Sequence, residues 1–304
     1  MKMKEEMKAM NKLNLTAAAG VLMALGTLIA AAAATTPPMT NDTRKEARFE
    51  VAAGGTVNIV NNSGSVTLHG GAGRQVVVAY VTHSDKVEVD ENTTSDKLRL
   101  EVRTHAVGEQ RPTADETRVD YEVTVPAGVA VTVTTATAPI TADGLSGDLT
   151  LSSDTGQITV RNVAKVHVHV RGVTAPVSLS SINNGHVEVT SSGGAVQLVD
   201  VSGPIVSVGT TSGNITYRGD CSGGGDYSLT THSGTIDVTL PETASFDVSA
   251  RSVSGQVQND FPLQQKPHVP YVTKAGSSFT GTSHSGSSSV ELQSFSGRIR
   301  VKKQ

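Results

Sequence analysis

From Phe49 onward, apolar and polar residues alternate one by one rather than at helical spacing. Thr56-Val57-Asn58-Ile59-Val60, Val119-Asp120-Tyr121-Glu122-Val123-Thr124-Val125 and Val129-Ala130-Val131-Thr132-Val133 place apolar, mostly β-branched residues at every second position. That is the pattern of strands with one buried face. The amino-terminal leader is the only helical candidate, so the pattern predicts an all-β chain.

Superimposed on the alternation is an internal repeat. A small residue, usually Gly after Ser or Thr, precedes an apolar-polar-apolar triplet at Gly156 (Ile158, Val160), Ala175 (Val177, Leu179), Gly194 (Val196, Leu198), Gly213 (Ile215, Tyr217), Gly234 (Ile236, Val238) and Gly255 (Val257). The small residues are spaced by 19, 19, 19, 21 and 21 positions. Between them runs a second series: Leu149 and Leu151, Val168 and Val170, Val187 and Val189, Val206 and Val208, Tyr227 and Leu229. Two strands per period of about twenty residues are too few for a domain and suit one coil of a β-solenoid.

The predicted fold is therefore a single elongated, parallel β-solenoid with about 20-residue coils and two strands per repeat, preceded by a signal peptide. Stacking brings Ile158, Val177, Val196, Ile215, Ile236 and Val257 into one interior column, and Val160, Leu179, Leu198, Tyr217 and Val238 into a second. Each fully buried aliphatic contributes about 1.5–3 kcal/mol, so no single coil closes a core but a stack does. The repeat glycines are expected at sharp corners needing positive φ or close backbone approach. Ser, Thr, Asn and Asp are expected to point outward and satisfy the turns. Ala175-Pro176 replaces the usual Ser-Gly pair, which predicts a distorted coil between Ala164 and Ser178.

The ends are less regular. Residues 48–125 read as an amino-terminal β cap with first coils, 126–260 as regular coils, and 261–304 as an irregular coil and carboxy-terminal cap. Within them, His105 to Thr117 reads as an exposed loop, Pro262 to Pro270 as an interruption, and Gly276 to Ser289 as a flexible run. The charged tail Arg298, Arg300, Lys302 and Lys303 is expected to guard an open sheet edge.

Composition sharpens this picture. The chain has 304 residues, 37% hydrophobic and 17% charged, which removes intrinsic disorder. Aromatics are only 3%, Trp is absent and Gly numbers 30, so small β-branched side chains must fill the core. A net charge of −3 argues against a nucleic-acid partner. Cys221 is the single cysteine, which excludes an intrachain disulfide framework and a cysteine zinc cluster.

Lys2, Lys4, Lys8 and Lys12 precede the apolar run Leu15 to Ala34, which ends before Thr35-Thr36-Pro37-Pro38. Residues 1–34 read as a signal peptide cut after Ala34, and 35–47 as a linker. The rest of the chain is then extracytoplasmic: periplasmic, surface-bound or secreted. If the leader is retained, its length lets it anchor the protein in a membrane.

Candidate chemistry is sparse. Repeat register puts His167 over His186 and His169 over Glu188, all outward, with neighbouring strands about 4.8 Å apart. His167, His169, His186 and Glu188 are thus the one surface cluster with metal-ligand chemistry, weighed against a solvated polar ladder, which is the favoured reading. Asp143, Asp148 and Asp154 match no calcium-loop spacing and read as turn and cap residues. No catalytic residue or cofactor is assigned: there is no nucleophile elbow, and Ser222-Gly223-Gly224-Gly225 lacks the residues of a phosphate loop. Cys221 reads as a small turn residue, with a reactive thiol as the alternative.

Val125-Pro126-Ala127-Gly128-Val129 entering the repeat, the recurrent Ser-Gly-x-Ile/Val units, Asp260-Phe261-Pro262-Leu263 and the closing Ser296-Gly297-Arg298-Ile299-Arg300-Val301 follow one another in a distinctive order. In this the chain, over roughly residues 48 to 302, resembles the bacterial DUF4097 β-strand-repeat proteins, a family labelled as adhesins. The resemblance implies an extracytoplasmic β-solenoid and carries no catalytic motif. The expected function is a non-enzymatic, envelope-associated adhesin-like scaffold or binding surface, its partner an envelope protein or polysaccharide. The alternatives are a β-helix polysaccharide lyase or hydrolase, which needs aromatic platforms with converging Asp, Lys or Arg, and an envelope-stress regulator that binds a peptide or membrane protein.

Overall fold

The computed structural model describes residues 42–108, 112–264 and 276–304. The leader, most of the linker, and parts of the His105 to Thr117 loop and the Pro262 to Pro270 interruption lie outside the described residues. Twenty-four strands and no helix make up what is described. The amino-terminal strands are β1 (Thr43–Glu50), β2 (Thr56–Asn61), β3 (Ser63–Gly71), β4 (Gln75–Thr82), β5 (Val87–Thr93), β6 (Arg99–Ala106) and β7 (Arg118–Pro126). The repeat follows as β8 (Ala130–Thr135), β9 (Ile140–Asp143), β10 (Leu149–Ser153), β11 (Ile158–Ala164), β12 (His167–Gly172), β13 (Val177–Asn183), β14 (His186–Ser191) and β15 (Val196–Val201). It continues through β16 (Ile205–Thr210), β17 (Ile215–Arg218), β18 (Gly225–Thr231) and β19 (Ile236–Leu240). The last five are β20 (Phe246–Ser252), β21 (Val257–Asn259), β22 (Ser278–Ser283), β23 (Ser288–Ser294) and β24 (Ile299–Lys303).

These strands form two twelve-stranded sheets. Sheet A runs β1-β4-β7-β3-β9-β11-β13-β15-β17-β19-β24-β21, and sheet B runs β5-β6-β2-β8-β10-β12-β14-β16-β18-β23-β20-β22. From β8 to β19 each coil lays one strand on each sheet, parallel and in register with the coil before. The chain is all-β and β-solenoid-like. Ile158, Val177, Val196, Ile215 and Ile236 stack as one buried column, and Val160, Leu179, Leu198, Tyr217 and Val238 as another.

A third column was not visible in the alternation. Asn162, Ser181 and Asp200 adopt left-handed backbone with φ of 56°, 53° and 53°. Each shifts the parity of its strand by one, as a bulge does, so that Val163, Ile182 and Val201 turn inward and stack. Asn and Asp tolerate this conformation better than most residues.

The corner glycines act by close approach alone. None of Gly156, Gly194, Gly213, Gly234, Gly297 and Gly255 has positive φ, but each lies against a carbonyl of the neighbouring coil. A Cβ on Gly213 would sit 2.1 Å from the Gly194 carbonyl oxygen. Three residues before each glycine sits a buried hydroxyl: Ser153, Ser191, Thr210, Thr231, Ser294 and Ser252. These were expected to face outward. All but Ser153 bond backbone groups that the corner hides from water: Thr210 Oγ1 donates to Gly213 O (2.8 Å), and Gly234 N–H donates to Thr231 Oγ1 (3.0 Å).

Five further expectations change. Val257 does not follow Ile236 in its column, because Ile299 of β24 intervenes. The charged tail therefore guards no edge: β24 is interior, with Arg300 Nε donating to Asp237 Oδ1 at 2.6 Å. The Ala175 coil is not distorted, since β11, β13 and β15 keep continuous register and Gly172 stands where other coils carry Ser or Thr. The Gly276 to Ser289 run contains β22 and the start of β23, and strand β1 begins inside the segment read as a linker.

Candidate functional site

The histidine row lies on the outer face of sheet B. Parallel pairing of β12 with β14 sets His167 opposite His186 and His169 opposite Glu188, as the repeat arithmetic predicts. The His167 and His186 rings meet edge to face with centroids 5.1 Å apart. His169 Nδ1 lies 3.3 Å from Glu188 Oε2. Asp148 extends the first column: its carboxylate accepts the His167 backbone N–H at 3.0 Å and lies 3.9 Å from His167 Nδ1. On the other side Ile205 follows His186 in that column and Ser207 follows Glu188 in the second.

Residues two apart on a strand are separated by about 6.5 Å, so the imidazoles pair within columns instead of converging. Among the described residues no group of three or more His, Cys, Asp or Glu is placed to hold a metal ion. The side chains of His167 and Asp148 are 72% and 62% exposed, so their attraction is weakened by solvent. What the row does chemically is present donors and acceptors at a fixed repeat.

The three aspartates do not form a cluster. Asp143 ends β9 on sheet A, where the Asn162 amide donates to it at 2.8 Å and Arg161 Nε lies 3.0 Å away; the Asn162 bond above all lowers its pKa. Asp148 belongs to the histidine column, and Asp154 caps the corner beyond β10 with its carbonyl. Cys221 is 1% exposed, and burial pushes its thiol up to about 12, which removes the reactive-thiol alternative.

Two arrangements gave no signal in the sequence. In the amino-terminal cap, His83 bridges two carboxylates, with Nδ1 2.9 Å from Asp42 and Nε2 2.8 Å from Asp120. Ser65 and Arg118 also donate to Asp120, both at 2.9 Å. Desolvation is the largest single influence on Asp120 and raises its pKa, but the bonds from His83, Ser65 and Arg118 together hold it below the ordinary value. Asp42 just precedes β1, His83 just follows β4, Ser65 lies in β3 and Arg118 and Asp120 in β7 of an irregular cap, so no period connects them. At the other end, the His232 and Phe295 rings stack at 4.8 Å and 6°, beside Arg251, Gln293 and Val253. Phe295 is 51% exposed. The stack arises because β23 inserts beside β18, which the order of the sequence conceals.

Residues 41–302 match the family described as Toastrack DUF4097. No curated protein matches the chain. Among solved structures, the chain is similar to a "putative cell adhesion protein" from Clostridium sporogenes ATCC 15579, at 12% identity and a TM-score of 0.29, covering 86% of this chain and 100% of that one. On the strength of the family match across almost all of its repeat and both caps, this chain belongs to the Toastrack DUF4097 family.

Proposed function

We propose that the chain is exported by its amino-terminal leader and acts outside the cytoplasm as a non-enzymatic, envelope-associated scaffold with an adhesin-like binding surface. The observation that carries this reading is the register of β8 to β19, which repeats the same outward positions coil after coil. One such column is Thr132, Thr150, His169, Glu188, Ser207 and Ser228. A rigid row of this kind suits a repetitive partner, an envelope polysaccharide or an extended protein segment, because many weak contacts add up when the spacing matches.

Mass spectrometry of the mature amino terminus with cell fractionation tests the export step: a chain starting at Thr35 in the envelope or medium is expected, and a cytoplasmic chain would overturn it. Binding to isolated envelope polysaccharide and to envelope protein extract tests the surface. Replacing His169, Glu188 and Ser207 together by Ala should weaken that binding while the fold persists.

The polysaccharide-enzyme alternative finds one favourable feature, the His232–Phe295 stack next to Arg251. Among the described residues no carboxylate lines that depression. Release of reducing ends or unsaturated uronates from uronic-acid or neutral polysaccharides would replace the scaffold reading with this one.

A further inference from the structure

Each sheet has two outer strands, and one of the four carries a charge code. β1 closes sheet A at the amino-terminal end, paired with β4 on one side only. All eight of its residues are exposed or half-exposed. No backbone hydrogen bond outside that ladder reaches it among the described residues. Half of its N–H and C=O groups therefore face away from the protein, ready to pair with another strand.

The two sides of β1 differ. Lys45, Ala47 and Phe49 take the inward positions: Ala47 and Phe49 are half-buried, and Lys45 Nζ lies over the Tyr80 ring and 3.5 Å from Glu91. Arg44, Glu46, Arg48 and Glu50 take the outward positions and are exposed, in line with Asp42. Along this outward row the sign alternates without a break. Arg48 Nη2 now bonds Glu46 at 2.9 Å within the strand, and Glu50 pairs with Lys97.

We propose that β1 is a self-complementary interface, at which a second copy of this chain adds its own β1 antiparallel about a twofold axis at Ala47. In that register Arg44 faces the partner's Glu50, Glu46 faces the partner's Arg48, and the symmetry supplies the other two pairs. Lys45 faces the partner's Phe49, and the small Ala47 meets itself on the axis. Opposite charges set directly across an antiparallel pair stabilise it and like charges destabilise it.

Other registers fail on the same rule. Centring on Glu46 or Arg48 sets like charges opposite each other along the outward row. Centring on Lys45 opposes two lysines on the inward side. Centring on Phe49 leaves most of the strand unpaired.

The remaining edges lack such a code. β5 carries Glu88, Asp90 and Glu91 with no basic residue, so a twofold pair of β5 strands would repel. β21 has three residues and no charge, and β22 is uncharged. Charge on an edge strand usually blocks promiscuous pairing, and here its alternation leaves one partner acceptable.

Sedimentation equilibrium of the full chain tests the proposal with two reversals, R44E with R48E and E46R with E50R. The unaltered chain should be dimeric, and each reversed chain should dimerise at least about tenfold more weakly. An equimolar mixture of the two reversed chains should recover the dimer as a heterodimer. All the altered side chains are outward and exposed, so unchanged circular dichroism and melting serve as the fold control. A47C should form an interchain disulfide on oxidation, because directly opposed Cα atoms lie about 4.5–5.5 Å apart. E46C should cross-link far less. A monomer at the highest soluble concentration, a dimer indifferent to both reversals, or a mixture that stays monomeric would each overturn the proposal.

Discussion

In the middle of the stack, neighbours in sequence are neighbours in space; at both ends they are not. From β8/β9 to β18/β19 each coil simply rests on the one before. At the carboxy-terminal end the chain first lays down β20/β21, then returns to insert β23/β24 between them and β18/β19. The amino-terminal end mirrors this arrangement, with β2/β3 lying between β6/β7 and β8/β9. A terminal coil added in simple order would hold its apolar row by one face only. Inserting it one layer in clamps it from both sides. The outermost layers are then closed by antiparallel strands, β4 and β5 at one end and β22 at the other. Repetition is enough where each coil has two neighbours, and a different topology appears where it would have one.

The largest break in this comparison comes from deleting residues 288–304. Were they a peripheral cap, the rest would hold. Because β23 and β24 separate β18/β19 from β20/β21, the deletion should abolish hydrogen-exchange protection of β20, β21 and β22 as well, leaving the coils before β18 protected. Persisting protection in β20 would contradict the inserted order.

Ile299 and Val257 sharpen the same point by single substitutions. Ile299 is 0% exposed between Ile236 and Val257. I299A should cost about 2–5 kcal/mol in urea unfolding, as for a mid-stack aliphatic. Val257, on the outermost strand of sheet A and only half-buried, should cost about 1 kcal/mol or less as V257A. Equal costs would mean that the outer layer is as well clamped as the inserted one.

Sequence made the middle legible because period and parity are both local arithmetic: Ile158, Val177, Val196 and Ile215 could be aligned by counting. The pairs His167–His186 and His169–Glu188 followed from the same count. Insertion could not be counted, because Ser254-Gly255-Gln256-Val257 and Ser296-Gly297-Arg298-Ile299 are interchangeable as repeat units. Nothing in either says which lies next to Ile236. The third column was hidden for a related reason: Asn162, Ser181 and Asp200 reset the alternation, and left-handed backbone leaves only a weak preference in residue type. His83, Asp42 and Asp120 come together through cap topology alone.

The corners separate glycines that are needed from those that are tolerated. G213A drives a methyl against the Gly194 carbonyl and should cost about 3 kcal/mol in thermal or urea unfolding, the upper end for overpacking. Gly209, on the outer face of β16, has nothing within 4 Å of where its Cβ would stand. G209A should stay within about 0.5 kcal/mol of the parent, as surface substitutions do. Equal effects would remove close approach as the reason for the repeat glycines.

The smallest effects belong to the buried hydroxyls, and they differ between two corners of the same design. Thr231 Oγ1 accepts the Gly234 N–H at 3.0 Å and meets Thr210 Oγ1 at 2.8 Å, one coil away. T231V keeps the shape but leaves a buried N–H and a hydroxyl with one partner fewer, so it should cost about 1.5 kcal/mol. Ser153 occupies the equivalent corner, equally buried, yet its hydroxyl has no partner among the described residues. Its neighbour one coil on is Gly172, which has no side chain to offer. S153A removes a group that already bears its desolvation cost, and should change stability by about zero or raise it slightly. If S153A proved as costly as T231V in matched urea titrations, the hydroxyls would act through packing, and the hydrogen-bonded corner would not be what distinguishes these coils.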